Sequence, residues 1–274
     1  MGELEIIGPP AEIETYIDYF MPHPLRAKAA YMRKEGSPQL YLEILDCCTG
    51  TTIFQRFQAY CDVSMHLKQG NINLHDLSYA GLGTVCQYLL ENIFIKSGFA
   101  ASEVYAADLS GSYMWARCGY LPDVKHRAYL ARALEKKIGK LSAKLLDAGF
   151  DLKPDVSAYI GECIENLDFD PKAIRKIAAL NLFMSDLVAV RPIASLGRLE
   201  RTFDDWFWGK DEAGAQYLAI GKWFLVGESW DGVLNFQDRE AMNIREENAR
   251  RAFEKLFVNS FVPTLKNLNT PNGP

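Results

Sequence analysis

From Leu40 to Leu77 the signal is mainly β, with apolar and polar residues alternating at a period of two in its later part. Beyond residue 80 the apolar residues mostly return every three or four. The pattern predicts strands first and helices afterwards. Leu40 to Leu45 reads as a strand, and Thr51 to Tyr60 is rich in β-branched and aromatic residues. Val63, Met65 and Leu67 alternate with Ser64 and His66, and Ile72 and Leu74 alternate with Asn73 and His75. With a turn at Gln69-Gly70 the two runs make a hairpin, His66 opposite Asn73 and Ser64 opposite His75. Its polar face is either a substrate-facing wall or the solvent face of an antiparallel sheet. Ahead of these strands, turn-formers (Gly8-Pro9-Pro10 and Met21-Pro22-His23-Pro24) bracket a helical pattern from Ala11 to Phe20, and a basic patch follows at Arg26, Lys28, Arg33 and Lys34.

Thr84 to Ser97 has the spacing of an apolar helix and Glu103 to Ala107 that of a strand. From Arg127 a helix is predicted on Leu130, Leu134, Ile138, Leu141 and Leu145, with Gly149 as its C-terminal cap. Another begins at Pro171 and carries Ile174, Ile177, Leu180, Met184, Leu187 and Val188. Residues 195–236 are aromatic-rich and irregular, and 227–232 read either as a functional loop or as a tight turn between two strands, Ile220–Val226 and Val233–Phe236. Arg239 to Val258 reads as a last helix and Leu265 to Pro274 as a polar, mobile tail. A break after Leu121-Pro122-Asp123 divides the chain into a mixed α/β part, 1–124, and a mainly helical part, 125–274.

Composition narrows the classes. A chain of 274 residues, 49% hydrophobic and 24% charged, can bury a full core. Its net charge of −5 argues against sequence-independent binding of nucleic acid and tilts toward cationic substrates. No apolar run reaches the roughly 20 residues that span a bilayer. The acidic start Met1-Gly2-Glu3-Leu4-Glu5 lacks the basic and apolar regions of a signal peptide, although export by a signal-independent route looks the same. Six cysteines contain no Cys-x-x-Cys pair, and the adjacent Cys47-Cys48 is a poor start for a disulfide framework. That points to a reducing, cytoplasmic setting without structural zinc. His66, His75 and Asp76 offer no fourth ligand, so no metal is expected.

One segment combines local chemistry with long-range order. A strand running into Gly81-Leu82-Gly83 and then a helix presents unpaired amides at the positive end of that helix, a site for phosphate or pyrophosphate. The same glycines also serve tight helix–strand packing or a helix start that needs a positive φ. Elsewhere, Trp206-Phe207-Trp208 beside Asp204 and Asp205 form either an aromatic cage for a cation or the packing of a small lobe.

Hairpin, Gly-x-Gly, helix, strand and a final aromatic-Gly-aromatic run give residues 60–121 an order that resembles the GNAT N-acetyltransferase family. In that family an Asn-x-x-Ala-x-x-x-Tyr-x-x-x-Gly-Phe pattern closes the segment. Asp108 stands at its Asn position, Gly111 at Ala, Trp115 at Tyr, and Gly119-Tyr120 at Gly-Phe. Ser78 stands where the family loop carries Arg or Gln. The resemblance implies a GNAT-like mixed, mostly antiparallel sheet flanked by helices, with a mainly helical C-terminal extension. It also implies acetyl-CoA as co-substrate, held by Leu77, Gly81, Leu82, Gly83, Thr84, Asp108 and Trp115. The acceptor is an amine, either a small molecule or a protein lysine. In direct attack on the thioester, His75 is the expected base, with Asp76 as an alternative base or the group that orients it, and Tyr113 is the hydroxyl near the leaving thiolate. Tryptophan is no acid near neutral pH. Trp115 and Ser78 therefore favour the second reading, a catalytically degenerate relative that binds a macromolecular partner through its C-terminal lobe. A helix start occupied by protein atoms, or two central strands without a splayed slot, removes the cofactor site.

Overall fold

The computed structural model describes residues 7–34, 37–61, 64–74, 79, 81–106, 108–190, 196–211 and 213–268. In chain order the first elements are α1 (Pro10–Tyr19), β1 (Leu25–Lys34), β2 (Ser37–Asp46), β3 (Thr52–Cys61), β4 (His66–Leu74), α2 (Leu82–Lys96) and β5 (Ala101–Ala106). Next come α3 (Asp108–Arg117), β6 (Leu121–Pro122), α4 (Val124–Asp147), β7 (Phe150–Leu152), α5 (Pro154–Glu165), α6 (Ala173–Ala178), β8 (Leu182–Phe183), α7 (Met184–Leu187) and β9 (Val188–Val190). The last are α8 (Leu196–Thr202), β10 (Trp208–Lys210), β11 (Gln216–Leu218), α9 (Ile220–Leu225), β12 (Trp230–Asn235) and α10 (Arg239–Leu268). The fold is mixed α/β. Its main sheet is mostly antiparallel, with the order β1-β2-β3-β4-β5-β12-β6 and β4 parallel to β5.

The chain forms two compact units: residues 1–104 with 234–274, and residues 105–233. The division runs through β5 and β12, not near residue 124, and it assigns α10 to the N-terminal unit.

In the first unit, Leu40, Leu42 and Ile44 of β2 and Phe54 and Tyr60 of β3 face one side of the sheet. Ile13 and Ile17 of α1, Val85 and Leu89 of α2, and Ala252 and Leu256 of α10 cover them. Burial of each large apolar side chain stabilises by about 1.5–3 kcal/mol. In the second unit the helical stripe of α4 (Leu130, Leu134, Leu141 and Leu145) is fully buried. Asp123 caps the start of α4 by accepting from the Lys125 N–H at 3.0 Å. Gly149, at φ +87°, follows its end.

Four expectations fail. The hairpin around Gln69-Gly70 is a single strand, β4, with Gly70 opposite Gln58 and Leu67 opposite Tyr60 on β3. Three steps along β4 therefore match two along β3. This bulge absorbs the change of alternation that the sequence suggested was a turn, so His66 and Asn73 lie on one strand, not opposite each other. The helix expected from Pro171 to Val188 ends at Ala178, and beyond it the Leu180 carbonyl accepts from the Gly221 N–H of α9 at 2.9 Å instead of from a following helical turn. Ile220–Leu225, expected as a strand, is that helix α9. The tail is helical as far as Leu268. Among the described residues, no helix is long and apolar enough to cross a membrane.

Candidate functional site

The junction between β4 and α2 belongs to the first unit. His75, Asp76, Leu77 and Ser78 lie outside the described residues. Gly81 precedes α2 in the left-handed region (φ +93°), with no side chain capping the helix. The Leu82 N–H donates to the Tyr79 carbonyl at 3.1 Å, and the Leu82 side chain is buried. Gly83 and Thr84 follow in the first turn, half-buried. A Cβ on Gly83 would meet only the Phe54 ring, at 3.9 Å.

Gly81 is different. A Cβ there would lie 2.5 Å from the Ala252 carbonyl oxygen of α10. Glycine is thus required twice, by its φ and by the close approach of another backbone. The helices run antiparallel, because Ala252 meets the start of α2 while Arg245, earlier on α10, meets residues farther along α2. Arg245 donates to Glu91 at 2.5 Å, to the Tyr88 carbonyl at 2.7 Å and to Asn92 at 2.8 Å, and its guanidinium lies 4.2 Å from the Tyr88 ring centroid. Arg245 and Glu91 are 4% and 2% exposed. The positive end of α2 therefore faces a carbonyl dipole of α10, and a buried ion pair holds the two helices together.

At the opposite end of β4 from this junction, β4 and β5 pair in parallel at His66–Ala101 and Leu67–Ser102. Glu103 on β5 accepts from Lys68 at 2.9 Å and lies 2.9 Å from His66 Nδ1. Burial alone raises the Glu103 pKa, but the hydrogen bonds and charges of Lys68 and His66 outweigh it and hold the carboxyl below its ordinary value. An ionised carboxylate bridging two basic groups is a weak base, so this cluster suits charge pairing better than proton abstraction.

Asp108, Tyr113 and Trp115 belong to the second unit. Asp108 is the first residue of α3. Tyr113 is half-buried. Burial raises its pKa, Arg117 lowers it and Tyr217 raises it, with a net upward shift. Trp115 packs edge-on against the fully buried Tyr120, with centroids 5.0 Å apart. Gly119, at φ +91°, ends α3, and its carbonyl accepts from Arg175 at 2.6 Å. The aromatic-Gly-aromatic run thus has a packing role at this helix end. The Lys222 ammonium lies 4.2 Å from the Trp206 ring centroid, so the cation on that aromatic group comes from the chain itself.

The apolar stripe of α4 was expected, but not the charge on its other face. The helix carries seven Lys and Arg against two carboxylates, a net of +5 in a chain whose net is −5. Arg132, Lys136 and Lys140 are exposed and recur every four residues, next to the exposed Tyr129. Lys137 turns away to Glu228 (2.7 Å) and to the carbonyls of Phe224 and Val226. Among the described residues no carboxylate pairs with Arg132, Lys136 or Lys140. The i, i+4 spacing of these cations was visible in the sequence.

No protein-family model matches the chain, and no curated protein or solved structure matches it significantly.

Proposed function

We propose that the chain is a binding protein on an acyltransferase-like sheet, and that its helical unit takes an acidic protein partner along α4. The observation that carries this reading is the backbone of α10 at Gly81. Pyrophosphate recognition needs the first turn of α2 open to a ligand, and protein atoms lie against its glycine. The cations at Arg132, Lys136 and Lys140 supply the chemistry of the partner. Three cations on one face of the helix, paired with no carboxylate among the described residues, match a segment with carboxylates at a similar spacing. The acidic balance of the whole chain disfavours nucleic acid.

The test titrates the full chain at low salt with poly-L-glutamate, duplex DNA and phosphatidylserine vesicles. Saturable binding of poly-L-glutamate, weakened about tenfold (about 1.4 kcal/mol) by Lys136→Glu with Lys140→Glu, supports the proposal. Preference for DNA or vesicles, or binding indifferent to those substitutions, refutes it.

A second reading, N-acyl transfer from acetyl-CoA to an amine, draws support from the β4–β5 pair. Its described pairing covers two residues of each strand, while β4 continues to Leu74 against β3. That divergence suits a slot for a thioester arm.

A further inference from the structure

β1 and β2 pair with Leu25 opposite Asp46, so the residues just before β1 and just after β2 share one end of the sheet. The Cys47 N–H donates to the Pro24 carbonyl at 2.9 Å and ties the two segments together. Asp46 shapes the turn by accepting from the Cys48 N–H at 2.8 Å and the Thr49 N–H at 3.2 Å. As a result the donor atoms of His23, Cys47 and Cys48 all lie within 4.8 Å of one another, and all three residues are exposed.

We propose that His23, Cys47 and Cys48 form a binding site for a thiophilic d10 cation, Zn(II) or Cu(I). Two thiols and an imidazole are soft to borderline donors, which select these ions over magnesium or calcium. Zinc–sulfur bonds of about 2.3 Å set ligand atoms about 3.8 Å apart around a tetrahedral ion. The donor atoms already lie within 4.8 Å of one another, so a closure of about 1 Å brings exposed side chains to that spacing. On binding Zn(II), both thiols release their protons to solvent and the imidazole ligates in its neutral form. Two thiolates then neutralise the divalent charge, and water takes the fourth position. Cu(I) is satisfied by the three protein ligands alone. The site does not depend on the function proposed for α4, and sequence spacing hid it because His23 and the Cys47-Cys48 pair come from segments on opposite sides of the β1–β2 hairpin.

The test uses the full chain, reduced and freed of metal under anaerobic conditions. Co(II), standing in for Zn(II), is expected to bind at one equivalent with an intense near-ultraviolet thiolate-to-cobalt band that Zn(II) abolishes. Cys47→Ser and Cys48→Ser each remove the band, His23→Ala weakens binding at least tenfold, and Cys118→Ser leaves it unchanged. A parallel competition against a Cu(I) chelator tells the two ions apart. Uptake of Cu(I) alone, with the same dependence on Cys47 and Cys48, supports the site and assigns its ion. Absence of stoichiometric uptake of either ion, or uptake that survives both cysteine substitutions, overturns it. Unchanged circular dichroism of the variants separates loss of ligands from loss of fold.

Discussion

Replacing Arg245 by alanine tests the contact between α10 and α2 on which the functional reading rests. The substitution removes the ion pair of Glu91, which is 2% exposed and also accepts from Gln87, and it takes away the donors to Tyr88 and Asn92. Breaking a buried ion pair on one side costs about 3–5 kcal/mol, because the orphaned charge stays out of water. At about 2–4 °C per kcal/mol for a chain of this size, the melting temperature should fall on the order of 10 °C. All five tryptophans lie between residues 115 and 230, in the second unit. Far-UV circular dichroism, which also reports α2 and α10, is therefore the better probe. Replacing both partners with apolar residues, Glu91→Leu with Arg245→Met, should cost less than the sum of the single changes, since no charge is left unpaired. An Arg245→Ala melting curve within about 0.5 kcal/mol of the parent would refute the buried pair and the seating of α10 on α2.

The glycines at the α2 start should respond in opposite directions. Gly81→Ala, with φ at +93° and the Ala252 oxygen in the way, should destabilise by about 1–3 kcal/mol. Gly83→Ala lies within the helix with only the Phe54 ring nearby, and should stabilise by roughly 0.5–1 kcal/mol. Urea titration of both variants checks this, and equal losses would contradict it. Glu103 gives a pH signature: its carboxyl is held below the ordinary 4.5 in the fold. Its stabilisation is therefore present above pH 4.5 and is lost as pH falls through the lower folded value. Melting curves of the parent and Glu103→Gln should separate near neutrality and converge in acid; a constant gap would contradict the pairing with Lys68 and His66.

Much of the fold was legible from spacing. Leu40, Leu42 and Ile44 at period two place β2 with one face on the core, and the α4 stripe with Gly149 marks both the face and the end of a helix. The errors share a cause. The altered alternation between Leu67 and Ile72 reads equally as a turn or a bulge until β3 supplies the partner register. The helical spacing from Ile174 to Val188 continued past the point where α9 claims the Leu180 carbonyl, a contact made through Gly221 and so invisible to any local window. The site was harder. Gly81-Leu82-Gly83 has the composition of an anion loop, but the approach of Ala252 to Gly81 comes from the last helix of the chain and has no local signature. Trp115 differs: its partner Tyr120 is local, and the spacing alone does not tell a packing contact from a cofactor motif.

Calorimetric titration of the full chain with acetyl-CoA tests the central claim most directly. With α10 seated on the start of α2, the account predicts no saturable heat at millimolar ligand and no rise in melting temperature. A saturable isotherm, with the stabilisation of about 2.7 kcal/mol expected at a hundred times the dissociation constant, would contradict it and restore the acyltransferase reading.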